Sequence, residues 1–322
     1  MDANSVPFSR ETHSTRAANS VIDQTISILC GKSAHARIWT PKNQPPRGVI
    51  LLVHGLGDHG GRYEAFAWRM SRHGWAVVAP DLPGHGRTKG PRGIAKSYDA
   101  ILKLISKSRE TITEQLPETP QFVLGHSMGG NFASNYVLRR EEFDPCFLPE
   151  PAGLLLAAPM LMPPTKLDRQ RIFAAWGTGQ LLRWIRITMP ARLDQLTSDA
   201  ENAERLQSDP LQHHRISLYL ATQLVAQGRF ALDHASKIDC PTLVLHGEDD
   251  ELIDQAACRN LALRIGRTAH SMSWPGGRHD LLNDSDALPI AKHLSQWMGS
   301  QLSATERQTS NTPKTLRLHR AA

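Results

Sequence analysis

The six residues Gly125-His126-Ser127-Met128-Gly129-Gly130 constrain this chain more than any others. They stand directly after the strand-like run Gln121 to Leu124 and directly before a helical pattern. A serine on so tight a strand-to-helix turn takes a strained backbone, and flanking glycines let the chain on either side approach without Cβ clashes. The turn lifts the serine hydroxyl above the end of a sheet. The helix behind it turns its N-terminal N–H groups toward any negative charge that develops there.

The rest of the chain fits such a sheet. Apolar, β-branched runs recur at Thr25 to Cys30, Ala34 to Thr40, Gly48 to His54, Ala76 to Pro80, Gln121 to Gly125, Gly153 to Ala157, Thr242 to His246 and His270 to Trp274. Helical patterns lie between them at Arg62 to His73, Ser97 to Gln115, Gly129 to Arg139, Asp254 to Ile265 and Ala287 to Met298. This alternation predicts an α/β fold with a mostly parallel central sheet flanked by helices. One stretch breaks the rhythm. From Pro163 to Ala235 no strand-like run is found, only helical pattern interrupted at Pro190 and Pro210, which predicts a helical cap inserted between the sixth and seventh strands. Near its start it carries Ile172, Phe173, Trp176, Leu181, Leu182, Trp184, Ile185, Ile187 and Met189. Internal packing is the expected use of that apolar surface. A pocket wall or a transient membrane contact is the alternative, with Trp176 and Trp184 as candidate substrate contacts.

Residues 21–162 and 236–300 form the expected core, and residues 163–235 the cap. Residues 1–20 are read as a polar, disordered segment and 301–322 as a disordered basic tail. The net charge is +6, and from Ser303 onward Arg307, Lys314, Arg317 and Arg320 face one acid, Glu306, so half of the excess belongs to the tail. With no basic stripe interleaved with aromatics, nucleic acid is not an expected partner. No run of about 18 apolar residues marks a membrane span, and Met1 to Ser20 has no apolar signal core, so the expected location is the cytoplasm, with peripheral membrane contact as the variant. Cys30, Cys146, Cys240 and Cys258 are widely spaced without a Cys-x-x-Cys pair and are expected to be buried, reduced thiols. Oligomeric state leaves no mark in the sequence.

A serine hydroxyl needs a base, and the base needs an acid that fixes its tautomer. On a strand-turn-helix scaffold of this kind the order is serine, acid, histidine. After the run Thr242 to His246 comes Gly247-Glu248-Asp249-Asp250-Glu251, where Asp249 and Asp250 compete for the acid. Of the histidines that follow, His279 sits in the flexible turn Pro275-Gly276-Gly277-Arg278-His279-Asp280. His270 begins a strand, His293 lies in a helix pattern and His319 lies in the tail, which makes His279 the base. Oxyanion donors are expected from the N–H groups of Met128 and of Leu56, the latter in His54-Gly55-Leu56-Gly57 at the end of the third run. His54, Asp58 and His59 have no established zinc spacing, so no metal is expected, and no cofactor either.

Several segments together resemble the monoacylglycerol lipase and lysophospholipase family of α/β hydrolases, the serine aminopeptidase-like hydrolases. They are His54-Gly55-Leu56-Gly57-Asp58-His59-Gly60-Gly61-Arg62-Tyr63, Asp81-Leu82-Pro83-Gly84-His85-Gly86-Arg87, the Ser127 turn, His246-Gly247-Glu248-Asp249-Asp250 and Gly277-Arg278-His279-Asp280. The likeness spans roughly Ser27 to Met298, and Thr88 departs from it where relatives often carry serine. It implies the α/β-hydrolase fold, a triad of Ser127, Asp250 and His279 with the acid four residues beyond His246, and an oxyanion hole from Leu56 and Met128. It also implies a helical cap over an acyl pocket, with Asp58, Arg62 and Tyr63 near the departing head group. The implied activity is hydrolysis of carboxylic esters of fatty acyl chains, a small lipid-like ester being the partner. Alternatives are a short-chain esterase or aminopeptidase on the same scaffold and, outside catalysis, a hydrolase-fold binding protein.

Overall fold

The computed structural model describes residues 21–28, 32–165, 170, 177 and 183–311. Its strands are β1 (Val21–Ile28), β2 (Lys32–Trp39), β3 (Gly48–Val53), β4 (Trp75–Pro80), β5 (Gln121–His126), β6 (Gly153–Ala157), β7 (Arg186–Thr188), β8 (Arg215–Ser217), β9 (Thr242–Gly247) and β10 (Ala269–Trp274). One sheet has the order β1-β2-β4-β3-β5-β6-β9-β10. The β1–β2 and β2–β4 pairs are antiparallel and the rest parallel. The helices are α1 (Glu64–Arg72), α2 (Tyr98–Gln115), α3 (Met128–Leu138), α4 (Leu193–Leu196), α5 (Ala200–Ser208), α6 (Leu218–Asp233), α7 (Gln255–Ile265) and α8 (Ala287–Asn311).

Alternate residues of a strand face opposite sides, and β3 is buried on both. Val49, Leu51 and Val53 join Ile101 and Ile105 of α2 and Phe132 and Tyr136 of α3 in one cluster. Ile50 and Leu52 join Phe66 and Met70 of α1 and Ile290, Leu294 and Met298 of α8 in the other. The chain leaves β3 for β4 on one side and then crosses to β5 on the other, so the connections diverge at the C-terminal ends of β3 and β5. A crevice opens at such a switch point, and ligands of open α/β sheets bind there.

Several expectations are corrected. The segment between β6 and β9 contains two short strands, β7 and β8, paired antiparallel from Arg186–Ser217 to Thr188–Arg215. Three-residue strands rich in Arg, Ser and Thr leave no alternation long enough to read. The final helix runs on to Asn311, eleven residues into the stretch expected to be a loose tail. Beyond Leu302, which still packs against the core, the sequence of that extension has no apolar periodicity to read. Cys240 and Cys258 are buried as expected, but Cys146 is exposed; Cys30 lies outside the described residues. Trp184 is 64 % exposed and so is not packed inside, while Ile172, Phe173, Trp176, Leu181 and Leu182 lie outside the described residues. Among the described residues no helix is long and apolar enough to cross a membrane.

Helix α6 seats this inserted region on the body. Asn131 of α3 donates to the Leu224 carbonyl at 2.9 Å, and Asn135 to the Gln227 carbonyl at 3.1 Å.

Candidate active site

Ser127 joins β5 directly to α3 with φ 54° and ψ −120°, a left-handed backbone that only a strongly held turn keeps in a non-glycine residue. The elbow is fastened to β6 and to the segment just beyond it. Ser127 N–H donates to Ala157 O at 3.0 Å, and Met160 N–H donates to Ser127 O at 2.9 Å. A Cβ on Gly125 would come within 2.6 Å of Gly130 Cα, and one on Gly129 within 2.6 Å of the His54 carbonyl, so the turn closes only with glycine at both places.

The three residues of the expected triad come together. His279 Nε2 lies 2.8 Å from Ser127 Oγ, and His279 Nδ1 lies 2.8 Å from Asp250 Oδ2. A carboxylate only accepts, so Nδ1 carries the proton and Nε2 is left to accept from the serine hydroxyl. Burial pushes the His279 imidazole down, but the Asp250 carboxylate beside it outweighs burial and raises its pKa above the ordinary 6.5. Burial pushes the Asp250 carboxyl up, but His279 and the Leu252 N–H, 2.9 Å away, hold it below its ordinary value. Asp249, the local competitor, is exposed, and its N–H is bound to Gly277 O.

The loop after β3 lies against the elbow: an added Cβ on Gly55 would stand 3.3 Å from Ser127 Cβ. Both ring nitrogens of His54 are committed to main chain. Nδ1–H donates to Gly55 O at 2.8 Å, and Nε2 accepts from Leu82 N–H at 2.9 Å. Burial above all lowers the pKa of this ring, which keeps it neutral. Gly55 C=O and Leu56 N–H belong to one planar trans peptide, so holding the carbonyl fixes the N–H in the opposite direction. Met128, the other expected donor, is the first residue of α3, where N–H groups have no intrahelical acceptor.

A cavity of about 190 Å³ opens above Ser127, bordered by Leu56, Met128, Asp58, Arg62 and His279. Away from the triad its walls are mostly apolar, with Met160, Leu206, Ile216, Leu224 and Ile253; Gln212, His213 and His214 add a polar stretch from the cap, and Met189 and Pro190 stand at the exposed rim. Arg62 lies between two carboxylates: its Nε is 3.3 Å from Asp58 Oδ1, and its Nη2 is 2.6 Å from Asp280 Oδ2. Burial pushes the Asp58 carboxyl up, and its neighbours together, the Arg62 guanidinium foremost, more than offset it, leaving the pKa below its ordinary value. Tyr63, an expected substrate contact, is instead fully buried behind this layer, its hydroxyl 2.8 Å from both Asp58 Oδ2 and His126 Nδ1. Trp184 is likewise absent from the cavity wall and stands on the surface; Trp176 lies outside the described residues.

Three further polar residues stand at the site. Asn202 of α5 donates to Asp280 at 3.1 Å, His126 Nε2 lies 3.1 Å from the His279 carbonyl, and His213 borders the cavity from the cap. His126 sits inside the elbow motif, where position alone was a usable signal. Asn202 and His213 stand in polar stretches without periodicity, so the sequence marks neither.

Comparison with known proteins places this chain among relatives. A family model described as serine aminopeptidase, S33, matches residues 44–286. The chain is 28% identical over 267 residues to a monoacylglycerol lipase of Mycolicibacterium smegmatis, covering 82% of this chain and 92% of that one. It is 27% identical over 281 residues, 86% of its length, to an uncharacterized abhydrolase domain-containing protein of Dictyostelium discoideum, of which it spans only 29%. The crystal structure of the Paleococcus ferrophilus monoacylglycerol lipase superposes with a TM-score of 0.73 at 26% identity, covering 83% of this chain and 99% of that one.

Proposed function

The chain belongs to the serine aminopeptidase, S33, family of α/β hydrolases, and on that premise we propose that it hydrolyses carboxylic esters of fatty acyl chains through an acyl-enzyme on Ser127. The observation that carries the proposal is the line Ser127 Oγ, His279, Asp250, with 2.8 Å at each step, at the floor of a cavity whose far walls are mostly apolar. Ser127 Oγ attacks the ester carbonyl as His279 Nε2 takes its proton, and Asp250 holds the imidazolium. The N–H groups of Leu56 and Met128 receive the developing oxyanion. The tetrahedral adduct collapses, His279 returns the proton to the leaving alcohol, and water repeats the cycle on the acyl-enzyme.

An acyl chain gains about 0.8 kcal/mol for each methylene buried against those walls, which favours a monoacylglycerol or lysophospholipid over an acetyl ester. The M. smegmatis and P. ferrophilus relatives are monoacylglycerol lipases by name, which supports the former. An aminopeptidase reading needs a carboxylate to meet the substrate's ammonium group. The two acids that border the cavity, Asp58 and Asp280, are already paired with Arg62, so ester hydrolysis is favoured.

Transient membrane contact belongs to the same proposal. Trp184, Ile185 and Met189 are 64, 46 and 37 % exposed, and the last of them is also part of the cavity rim. A lipid drawn from a bilayer would meet this apolar edge first. The central experiment is fluorophosphonate labelling of the full chain with a panel of monoacylglycerols, lysophospholipids and p-nitrophenyl esters. Labelling of the wild type, none of Ser127→Ala, and highest turnover on long-chain monoacylglycerols are expected. An unlabelled wild type would falsify the serine mechanism, and a maximum at acetyl esters or aminoacyl amides would remove the lipid reading.

A further inference from the structure

The loop that carries Leu56 is held from two sides. From the body, His54 fixes the Gly55–Leu56 peptide. From the cap, His213 N–H donates to Gly57 O at 3.0 Å, and the His213 ring reaches over the same loop to donate Nε2–H to Gly84 O at 3.1 Å. The ring's other nitrogen, Nδ1, accepts from Arg215 N–H at 3.2 Å, so a neutral imidazole protonated at Nε2 satisfies every partner. The approach is close. A Cβ on Gly57, whose φ is +72°, would overlap the His213 carbonyl, so the cap backbone lies directly on this glycine. Ser217 N–H, donating to Gly93 O at 2.8 Å, continues the same attachment. The rings of His213 and His85 are 4.7 Å apart, and those of His85 and His54 5.3 Å apart, so packed imidazoles connect the cap pin to the body pin.

We propose that His213, a cap residue that does not touch the reacting atoms, is a positioning residue for the oxyanion hole. Its main-chain N–H holds the Gly57 carbonyl while its ring fastens that same cap segment to Gly84, so the seated cap braces from the far side the loop whose Leu56 N–H His54 directs. The inference rests on Leu56 being an oxyanion donor and deepens that reading. A loop pinned at Gly55 alone can rotate as a body about that single contact and carry the Leu56 N–H with it. Pinned at both Gly55 and Gly57, it offers the donor without reorganising when the oxyanion forms, which is where such donors derive their effect. Seating of the cap and readiness for chemistry then become one event.

The test compares His213→Gln, whose amide nitrogen takes the place of Nε2, with His213→Ala and His213→Asn, which lose that reach. Losing one oxyanion donor outright costs about 100- to 1,000-fold in kcat. Misaligning one should lower kcat about tenfold or more in the Ala and Asn variants, with KM within twofold and recovery in the Gln variant. An alkyl trifluoromethyl ketone, which adds to Ser127 and places an oxyanion in the hole, should lose affinity by the same factor as kcat/KM. If KM rises while kcat and ketone affinity hold, His213 only lines the cavity and the inference is overturned. Equal loss in the Gln and Asn variants overturns it too. Should His213→Ala not fold, the Gln and Asn pair carries the comparison. Wild-type labelling by fluorophosphonate separates the two readings: no labelling removes the serine mechanism, whereas normal labelling with His213 variants of unchanged kcat removes only this proposal.

Discussion

The β5–α3 turn and the segment from β7 to β8 border the same cavity, yet they are ordered by different means. All six residues of β3, β5 and β9 are buried, and the turn itself is locked by glycines that leave no room for a Cβ. In the cap, β7 is largely exposed and α5 buries only Asn202 and Leu206 of its nine residues. Its order is borrowed from the body. Asp284 takes the N–H groups of Ser198 and Asp199 and the hydroxyl of Thr197, Asp280 N–H donates to Leu196 O, and His213 clasps the loops at Gly57 and Gly84. The sheet therefore holds the reacting atoms rigidly, while the residues that meet substrate depend on polar clips that can release.

If that division is right, the largest effect comes from the rigid side. Asp250→Asn keeps the shape but reverses the hydrogen-bond preference at His279 Nδ1, and kcat should fall about ten-thousandfold, as it does when a triad acid becomes an amide elsewhere. Steady-state kinetics on a p-nitrophenyl ester measures it, and a loss under tenfold would mean that Asp250 does not orient the base. The pH profile sharpens the test. His279 must be neutral to accept the proton, so wild-type kcat/KM should fall as pH drops through a value above 6.5, the direction in which Asp250 moves it. Without the carboxylate, burial prevails and that limb should move to lower pH. The same pair contributes to stability in a defined window. The raised His279 contributes fully below 6.5 and loses its contribution as pH rises through its folded value. The depressed Asp250 contributes above 3.8 and loses its contribution as pH falls through its own.

How much of this was legible follows the same division. The elbow could be read because its requirements are local: a buried strand, a serine and glycines at fixed spacing. The acid could not be separated from its neighbour on local grounds, since Asp249 and Asp250 differ only in which way the chain turns after β9, and that leaves one exposed and the other buried. The resemblance puts Tyr63 near the substrate, but a motif does not say which side of the loop a ring takes, and this one lies behind Asp58. In the cap the sequence marks least. β7 and β8 are too short for alternation, and Asn202 and His213 acquire their partners from segments far away in the chain, Asp280 and Gly84.

Arg62 tests the joint between the two regions. It is a body residue whose guanidinium meets Asp58, Asp280 and, at 3.4 Å, Asn202 of the cap. Arg62→Met fills similar space but leaves two carboxylates without their cation, and removing one partner of a buried pair costs about 3–5 kcal/mol. Urea unfolding should register that loss near neutral pH. The loss should shrink on acidification, because Asp58 is held below its ordinary pKa by Arg62, so this stabilisation is present above that ordinary value and disappears as pH falls through the depressed one. Limited proteolysis should also cut the variant earlier within residues 183–217. Unchanged stability together with unchanged cutting would show that the cap does not rely on this clip.

The smallest expected effect lies at the cap's outer edge and concerns binding alone. Trp184 contributes no hydrogen bond to the clips described and is 64 % exposed, so Trp184→Ser should change stability by no more than about 0.5 kcal/mol. Turnover of a soluble p-nitrophenyl ester should also hold, because the side chain is not part of the cavity wall. Vesicles separate it from the body. Burying part of an indole in the bilayer interface gains about 1.5 kcal/mol, roughly tenfold in partitioning, so co-sedimentation with phosphatidylcholine vesicles containing monoacylglycerol should drop by about that factor. Hydrolysis of the vesicle-borne substrate should slow in proportion while the soluble ester does not. A variant that sediments like the wild type would leave the exposed edge of the cap without a membrane role, and substrate would then reach Ser127 from solution.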